Sequence, residues 1–304
     1  MPHSRARPLS IVVATHRSWP GIQRCLEALH QQAAEVGAEI LLTASSADAL
    51  PESVAGNYPA VVCLESPGAS SYHLRAQAIA RAEGEIIAIT EDHCRVRPNW
   101  CRAILAAHQA EPSAAAIGGA VENGTGEHLL DWAGFLIANG PCVSPLVNGE
   151  SDCIALQANV SYKRRTIEAY PIPRLGFMEM LYNQQLREHG ARLVADDRIV
   201  VEHDQSLAFG VTCALHFHNG RCIAGFRLER IGLVERVLRL AGCVMLPPVM
   251  LWRTLATVIG KRRLVDRALL ATPWIVCLLL CHAAGEWVGY LTGPGRSGAY
   301  RHIG

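Results

Sequence analysis

What the chain lacks narrows the reading first. Its eleven cysteines include no Cys-x-x-Cys pair, so the common zinc-ribbon and thioredoxin-type spacings are absent. They are scattered through apolar segments, as with Cys63, Cys153 and Cys277. That distribution reads as reduced, buried thiols in a cytosolic compartment rather than a disulfide framework. Charge of one sign is also missing: 28 Lys and Arg stand against 27 Asp and Glu, a formal net charge of +1. No whole-chain field draws nucleic acid, and none is expected as a partner. Met1 to Pro8 is basic but carries no apolar core of signal-peptide length. No internal repeat or low-complexity segment is present.

What is there is apolar. Half of the 304 residues are hydrophobic, enough for one large core or a core with an appendage. From residue 9 to about 120 strand-like and helix-like segments alternate. Leu9 to Ala14, Glu39 to Thr43, Ala60 to Leu64, Glu85 to Thr90 and Ala114 to Val121 read as strands. Ile22, Leu26 and Leu29 follow a helical spacing, Leu74 to Ala82 reads as a helix, and Pro98 to Gln109 as a helix opened by its proline. This alternation predicts an α/β protein with a doubly wound, mostly parallel sheet. Further on, Ala155 to Tyr162 reads as a strand, Met178 to His189 as a helix stopped by Gly190, and Ile199 to Val201 as a last short strand.

The end of the chain differs in composition. Leu238 to Gly260 is strongly apolar despite Pro247, Pro248 and Arg253, and Ala268 to Leu291 is interrupted by only His282 and Glu286. The second stretch exceeds the roughly 20 residues a bilayer crossing needs. Lys261, Arg262, Arg263 and Arg267 lie between the stretches, where anionic headgroups suit them. If both stretches crossed, that basic loop would oppose the positive-inside tendency. The expectation is an interfacial first stretch and a crossing or deeply inserted second one. Two crossings, or a buried helical hairpin, are the alternatives.

The most informative segment is Gly84 to His93. Five apolar or small residues run into Glu91, Asp92 and His93. In open α/β sheets the ligand crevice lies outside the carboxyl ends of the strands. Carboxylates and an imidazole at such an end are candidate ligands for a divalent cation facing a diphosphate. Imidazole suits softer ions than magnesium, so manganese is favoured over magnesium. Arg75 is a candidate for a bidentate phosphate contact. Lys163, Arg164 and Arg165 read, for at least two of the three, as a solvated basic face. Trp100 reads as core, and Trp132 and Trp19 as candidate sugar-stacking rings.

Taken in order, these pieces resemble family 2 of the inverting nucleotide-sugar glycosyltransferases, which have the GT-A fold. Ser10 to Arg17 resembles the first strand and its nucleotide-contacting turn, and Cys25 to Leu29 the following helix. Arg75 through Gly84 resembles the Arg-Asn segment. Glu91-Asp92-His93 followed by Pro98-Asn99-Trp100 resembles the Asp-x-Asp motif and its downstream Pro-x-Trp. Gln157 to Arg164 resembles the Gly-Asn stretch before the acceptor region. The resemblance spans roughly residues 8 to 205. It implies a GT-A catalytic domain over 1–235, with a nucleotide-sugar half at about 8–121 and an acceptor half at about 122–205, followed by a membrane-associated helical segment over 236–304.

The resemblance further implies Glu179 as the general base, Thr15, His16, Arg17, Arg75, Asp92 and Asn159 as donor-binding residues, and Glu91, Asp92, His93 and His203 as metal ligands. The implied cofactor is Mn2+ or Mg2+. The implied partners are a nucleotide-sugar donor, a lipid-linked or polysaccharide acceptor and a membrane, with the catalytic domain facing the cytoplasm. Two departures stand out. Glu91 and His93 occupy the two Asp positions of the motif, and Ala44 and Ser45 stand where the family usually has an Asp pair beside the base. They support a second reading, a catalytically inactive binding or scaffold subunit. A nucleotidyltransferase is a third, but Ala14-Thr15-His16-Arg17-Ser18 is no Gly-rich phosphate loop.

Overall fold

The structure is a computed structural model and describes residues 7–16, 21–45 and 53–300. It divides into two compact units. The first comprises Met1–Gly124 and Cys142–Asp204, the second Thr125–Pro141 and Gln205–Gly304.

Among the described residues the first unit is built on a nine-stranded mixed sheet. Its strands are β1 (Leu9–Thr15), β2 (Glu39–Ala44), β3 (Val61–Glu65), β4 (Ile86–Glu91), β5 (Cys94–Val96), β6 (Ala116–Asn123), β7 (Gly149–Glu150), β8 (Val160–Lys163) and β9 (Leu193–His203). Their spatial order is β3-β2-β1-β4-β8-β6-β9-β5, with β7 beside β9. β3, β2, β1 and β4 are parallel, whereas β8 is antiparallel to both β4 and β6. The helices are α1 (Gln23–Val36), α2 (Ser53–Asn57), α3 (Ser71–Arg81), α4 (Trp100–Ala110), α6 (Arg164–Ala169) and α7 (Glu179–Glu188), while α5 (Leu129–Asn139) belongs to the second unit. The continuous apolar runs seen in sequence are buried strands: Ile11, Val12, Leu41, Ile87 and Ile89 are all at most 2% exposed. Each such side chain stabilises the fold by roughly 1.5–3 kcal/mol.

Three local readings need correction. The strand expected over 155–162 begins only at Val160, because Asn159 N–H turns back to the Leu156 carbonyl. The short strand expected at 199–201 is eleven residues long. Asp196, Asp197 and Arg198 interrupt its apolar pattern, and they fall where its register against β6 shifts between Gly119 and Ala120. The α4 helix starts at Trp100 rather than Pro98, with Asn99 at φ 67° turning the chain into it. The thiols also differ from expectation. Cys25, Cys94, Cys101, Cys142, Cys222 and Cys243 are buried, but Cys63 and Cys153 are exposed.

The second unit is helical. Besides α5 it contains α8 (Phe209–Arg227), α9 (Leu233–Gly242), α10 (Leu246–Lys261) and α11 (Val265–Thr292). Two segments, Leu233–Lys261 and Val265–Thr292, are long and apolar enough to cross a membrane. Their surroundings differ. No residue of α9 is buried, and Leu233, Val234, Trp252 and Ile259 are exposed. By contrast, α11 packs along α8 and α5. A Cβ at Gly285 would strike the Phe217 carbonyl oxygen, and one at Gly289 the Arg221 carbonyl oxygen. Glycine is needed at both positions for this approach, a small-residue seam of the kind that lets helix backbones touch. Phe217 and Arg221 ascend α8 as Gly285 and Gly289 ascend α11, so the two helices run in the same direction. His282 and Glu286 are buried on that packed face, with Arg227 Nη1 2.9 Å from Glu286 Oε2. The interruptions in the apolar stretch are therefore paired inside the unit, where ionisable groups need partners.

Candidate active site

Register builds the site. β1 lies parallel to β4 with Ala14 opposite Glu91. Thr15 and Asp92, one residue further on, therefore adjoin, and the Thr15 hydroxyl donates to Asp92 Oδ2 at 2.7 Å. β5 pairs antiparallel with β9, with Cys94 opposite His203. That pairing brings His203 to His93 across 110 residues of sequence, Nε2 to Nε2 at 3.0 Å. Glu91 Oε2 is 3.6 Å from each of these two nitrogens.

Glu91, His93 and His203 thus place three donor atoms in one small triangle. Metal–nitrogen and metal–oxygen bonds of about 2.0–2.2 Å put neighbouring donors roughly 3 Å or a little more apart, so the triangle fits one cation. Asp92 stands behind it. His93 Nδ1–H donates to Asp92 Oδ1 at 2.8 Å, which directs the Nε2 lone pair into the triangle. A carboxylate behind a ligating imidazole is the usual way of fixing its tautomer. Of the four expected ligands, Glu91, His93 and His203 converge, while Asp92 contacts the far side of the His93 ring. Nitrogen and carboxylate oxygen donors together suit manganese better than magnesium.

His16 lies beside this cluster at the end of β1. Its Nδ1 is 2.7 Å from Ser45 Oγ and its Nε2 is 2.8 Å from Ser71 Oγ. The ring thereby ties the ends of β1 and β2 to the start of α3. Sequence reasoning named His16 and the position of Ser45 but missed Ser71 and the contact between them. The clue was that hydroxyl residues follow β2 and open α3, two ends that a parallel sheet brings together. Arg17, Trp19 and Asp48 fall outside the described residues.

Arg75 is not a helix-surface residue. It is 6% exposed, and its Nε lies 2.9 Å from Oε1 of Glu179, which is 1% exposed. The contact is a buried ion pair. Burial pushes the Glu179 carboxyl up from the usual range, Arg75 opposes that rise, and the charge of Glu91 adds to it. Beneath the pair Tyr162, Phe177 and Tyr182 pack edge to face or tilted, with centroids 4.7–5.5 Å apart. The alternative bases Asp152 and Glu168 are exposed.

Asn159 needs correction as a donor-binding residue. It is 1% exposed. Its Nδ2 donates to the carbonyls of Ala120 at 2.8 Å and Ile199 at 2.9 Å, and its Oδ1 accepts from Trp100 Nε1 at 2.9 Å. Its amide holds β6, β9 and α4 together and presents nothing to a ligand. The basic trio likewise clasps carbonyls. Lys163 Nζ donates to Glu111 and Pro112, Arg164 to Ala82 and Gly84, and Arg165 to Pro112. Lys163 is 9% exposed rather than part of a solvated face. In the second unit Trp132 donates to the Gly126 carbonyl at 2.9 Å.

Fold and site define a class: a mixed α/β sheet with an acid and imidazole cluster at the carboxyl ends of β1 and β4. Residues 10–143 match the family model described as Glycosyl transferase family 2. Over that segment, less than half of the chain, it is similar to this family, whose members transfer glycosyl groups. No curated protein sequence matches the chain. Among solved structures it is similar to the mannosyltransferase PcManGT from Pyrobaculum calidifontis in complex with GDP-Man and Mn2+, at 19% identity and a TM-score of 0.59, covering 94% of this chain and 88% of that one. It is also similar to S. aureus TarS 1-349 in complex with UDP-GlcNAc, at 13% identity and a TM-score of 0.52, covering 92% and 90%. At these identities the likeness concerns the fold, which is GT-A.

Proposed function

We propose that the chain transfers a glycosyl group from a nucleotide-sugar donor to an acceptor hydroxyl, with inversion at the anomeric carbon. The observation that carries this reading is the buried Arg75–Glu179 pair, whose carboxyl is also within the field of Glu91 in the three-donor cluster. Glu91, His93 and His203 would hold a divalent cation, Mn2+ or Mg2+, which when bound neutralises charge on a diphosphate leaving group. Asp92 orients His93, and Thr15 orients Asp92. Glu179 takes the proton of the acceptor hydroxyl as that oxygen attacks. Its raised pKa brings it nearer the working pH, which a general base needs. Arg75 keeps the carboxylate charged inside an apolar setting. One displacement needs no covalent intermediate, so the configuration inverts.

We assign catalysis to the part of the chain before α9 and membrane association to the apolar segment that starts at Leu233, close to the 235/236 boundary expected from sequence. The exposed apolar residues of α9 and α10 support attachment to a membrane; a lipid-linked or polysaccharide acceptor and a catalytic part on the cytoplasmic side complete the proposal. PcManGT binds GDP-Man and TarS binds UDP-GlcNAc by their descriptions. Those two donors therefore head the test: donor hydrolysis and transfer across a panel of nucleotide sugars, with and without Mn2+. Metal-dependent turnover of one donor supports the reading. Donor binding without turnover would instead make the chain an inactive binding subunit.

A further inference from the structure

Three thiols, two of them one turn apart on one helix and the third on another, come together in the helical unit. Cys213 lies on α8, and Cys277 and Cys281 lie on α11. Their sulfur atoms are all within 4.8 Å of one another. The convergence follows from the helix seam. Residues four apart share a helix face, so Cys277, Cys281, Gly285 and Gly289 form one stripe on α11. Gly285 meets Phe217 and Gly289 meets Arg221. The same offset sets Cys281 opposite Cys213. Because the glycines let the backbones approach, sulfur atoms one and two turns away also meet.

We infer that Cys213, Cys277 and Cys281 form a binding site for one soft, thiophilic d10 metal ion, of the Cu(I) or Zn(II) class. Metal–sulfur bonds of about 2.3 Å place the sulfurs of a trigonal or tetrahedral set roughly 3.8–4.0 Å apart. The sulfur atoms, all within 4.8 Å of one another, stand within about 1 Å of that spacing. Thiolate donors select Cu(I) and Zn(II) over the hard ions that carboxylates and phosphates prefer. The site is therefore chemically separate from the Glu91, His93 and His203 cluster. On binding, S–H bonds give way to sulfur–metal bonds and the protons leave to solvent. The ion would staple α8 to α11 next to the glycine seam. An all-sulfur set of three favours Cu(I); Zn(II) would need a fourth donor from solvent.

The test uses the full chain, reduced and purified under anaerobic conditions. Cd(II) serves as a spectroscopic probe, because its thiolate charge-transfer absorption in the ultraviolet is not given by carboxylate or imidazole ligands. Cu(I) and Zn(II) are then compared by competition with chromophoric chelators. The expected result is one equivalent of Cd(II) with thiolate absorption. Cys213→Ser, Cys277→Ser and Cys281→Ser should each weaken binding tenfold or more, whereas Cys63→Ser and Cys153→Ser leave it unchanged. Circular dichroism checks that each variant keeps its helix content, and Cys281→Ala gives a second form of the α11 change. Absence of thiolate absorption in the reduced wild-type chain overturns the inference. So does undiminished absorption in all three seam variants. A disulfide between Cys213 and Cys281 that forms in air, with no metal uptake after reduction, also overturns it.

Discussion

Arg75 Nε lies 2.9 Å from Glu179 Oε1, and both side chains are buried. The pair joins α3 to the first turn of α7, two elements about a hundred residues apart in sequence. Removing one member of a buried pair strands the other, at a cost of about 3–5 kcal/mol. The two residues are therefore coupled in stability as well as in chemistry, and their variants must be chosen to separate the two effects.

Glu179→Gln keeps the shape and removes the proton acceptor. Donor binding should remain near normal, and turnover should fall about a hundredfold or more, the usual scale for loss of a general base. Single-turnover transfer with the preferred donor measures it. Product of inverted configuration is expected. A retained configuration would reject the displacement, and wild-type turnover would move the base elsewhere, with exposed Asp152 or Glu168 next.

Arg75→Met acts in the opposite sense on the same carboxyl. Burial already raises the Glu179 pKa and Arg75 restrains it. Without the guanidinium the pKa rises further, so a larger share of Glu179 is protonated at neutral pH. The rise of kcat with pH should shift to higher pH, and thermal stability should drop. Arg75→Lys should return both partway. A profile that does not move would dissociate Arg75 from the base.

His93→Ala and His203→Ala each remove one of three converging donors. Both should abolish manganese-dependent donor binding, read by thermal shift with added metal and nucleotide sugar. Asp92→Asn removes the orienting carboxylate but leaves the triangle. Loss of a partner behind a metal ligand typically costs 10–100-fold in affinity, so a weakened but measurable metal dependence is expected. Full binding in both His variants would remove this site from the mechanism.

Much of this was legible in sequence, and the limits have physical causes. Continuous apolar runs gave β1, β2 and β4, and an acidic end on β4 marked the crevice, because buried parallel strands leave that pattern. Asp92 was visible as a polar residue at the right place, but not its role. Whether it ligates or orients depends on Thr15 and on the rotation of His93. Asn159 was expected to bind the donor, yet β6, β9 and Trp100 absorb its amide. His203 could be placed at a strand end, but its meeting with His93 rests on the short β5, three residues that no periodicity reveals. The Arg75–Glu179 contact is likewise long-range and carries no local signal.

A pH effect on stability should come from His108. Burial, with Lys163 nearby, lowers its pKa from the ordinary 6.5 to about 3, and its Nε2 lies 2.9 Å from Ser161 Oγ. The native state keeps the ring neutral while the unfolded state takes up a proton below about pH 6.5. Stability from this group is therefore complete above the unfolded pKa and is lost as pH falls toward about 3, by an amount on the order of a few kcal/mol. His108→Gln should flatten the fall in thermal midpoint between pH 6.5 and 4. An equally steep fall in the variant would assign acid sensitivity to other groups.

The membrane reading turns on which apolar surface is unpartnered. Cutting the chain near residue 235 is a poor test, because α8 would lose α11 from its glycine seam and expose its own packed face. Aggregation of the truncated chain would then say nothing about lipid. The α9–α10 surface is the better target. Leu233 is 74% exposed, Leu238 67% and Trp252 73%, and none of them supports the seam. Replacing Leu233, Leu238 and Trp252 with Ser, Ser and Gln leaves α8 and α11 intact. The wild-type chain should fractionate with membranes and resist high-salt extraction, as apolar rather than ionic attachment requires. The triple variant should move substantially to the supernatant while keeping its circular dichroism and donor hydrolysis. Membrane retention of that variant would shift the attachment to the exposed face of α11, where Leu269, Leu270, Trp274 and Leu280 stand. Recovery of the wild-type chain in the supernatant would leave the apolar surface to a protein partner and reject the membrane role.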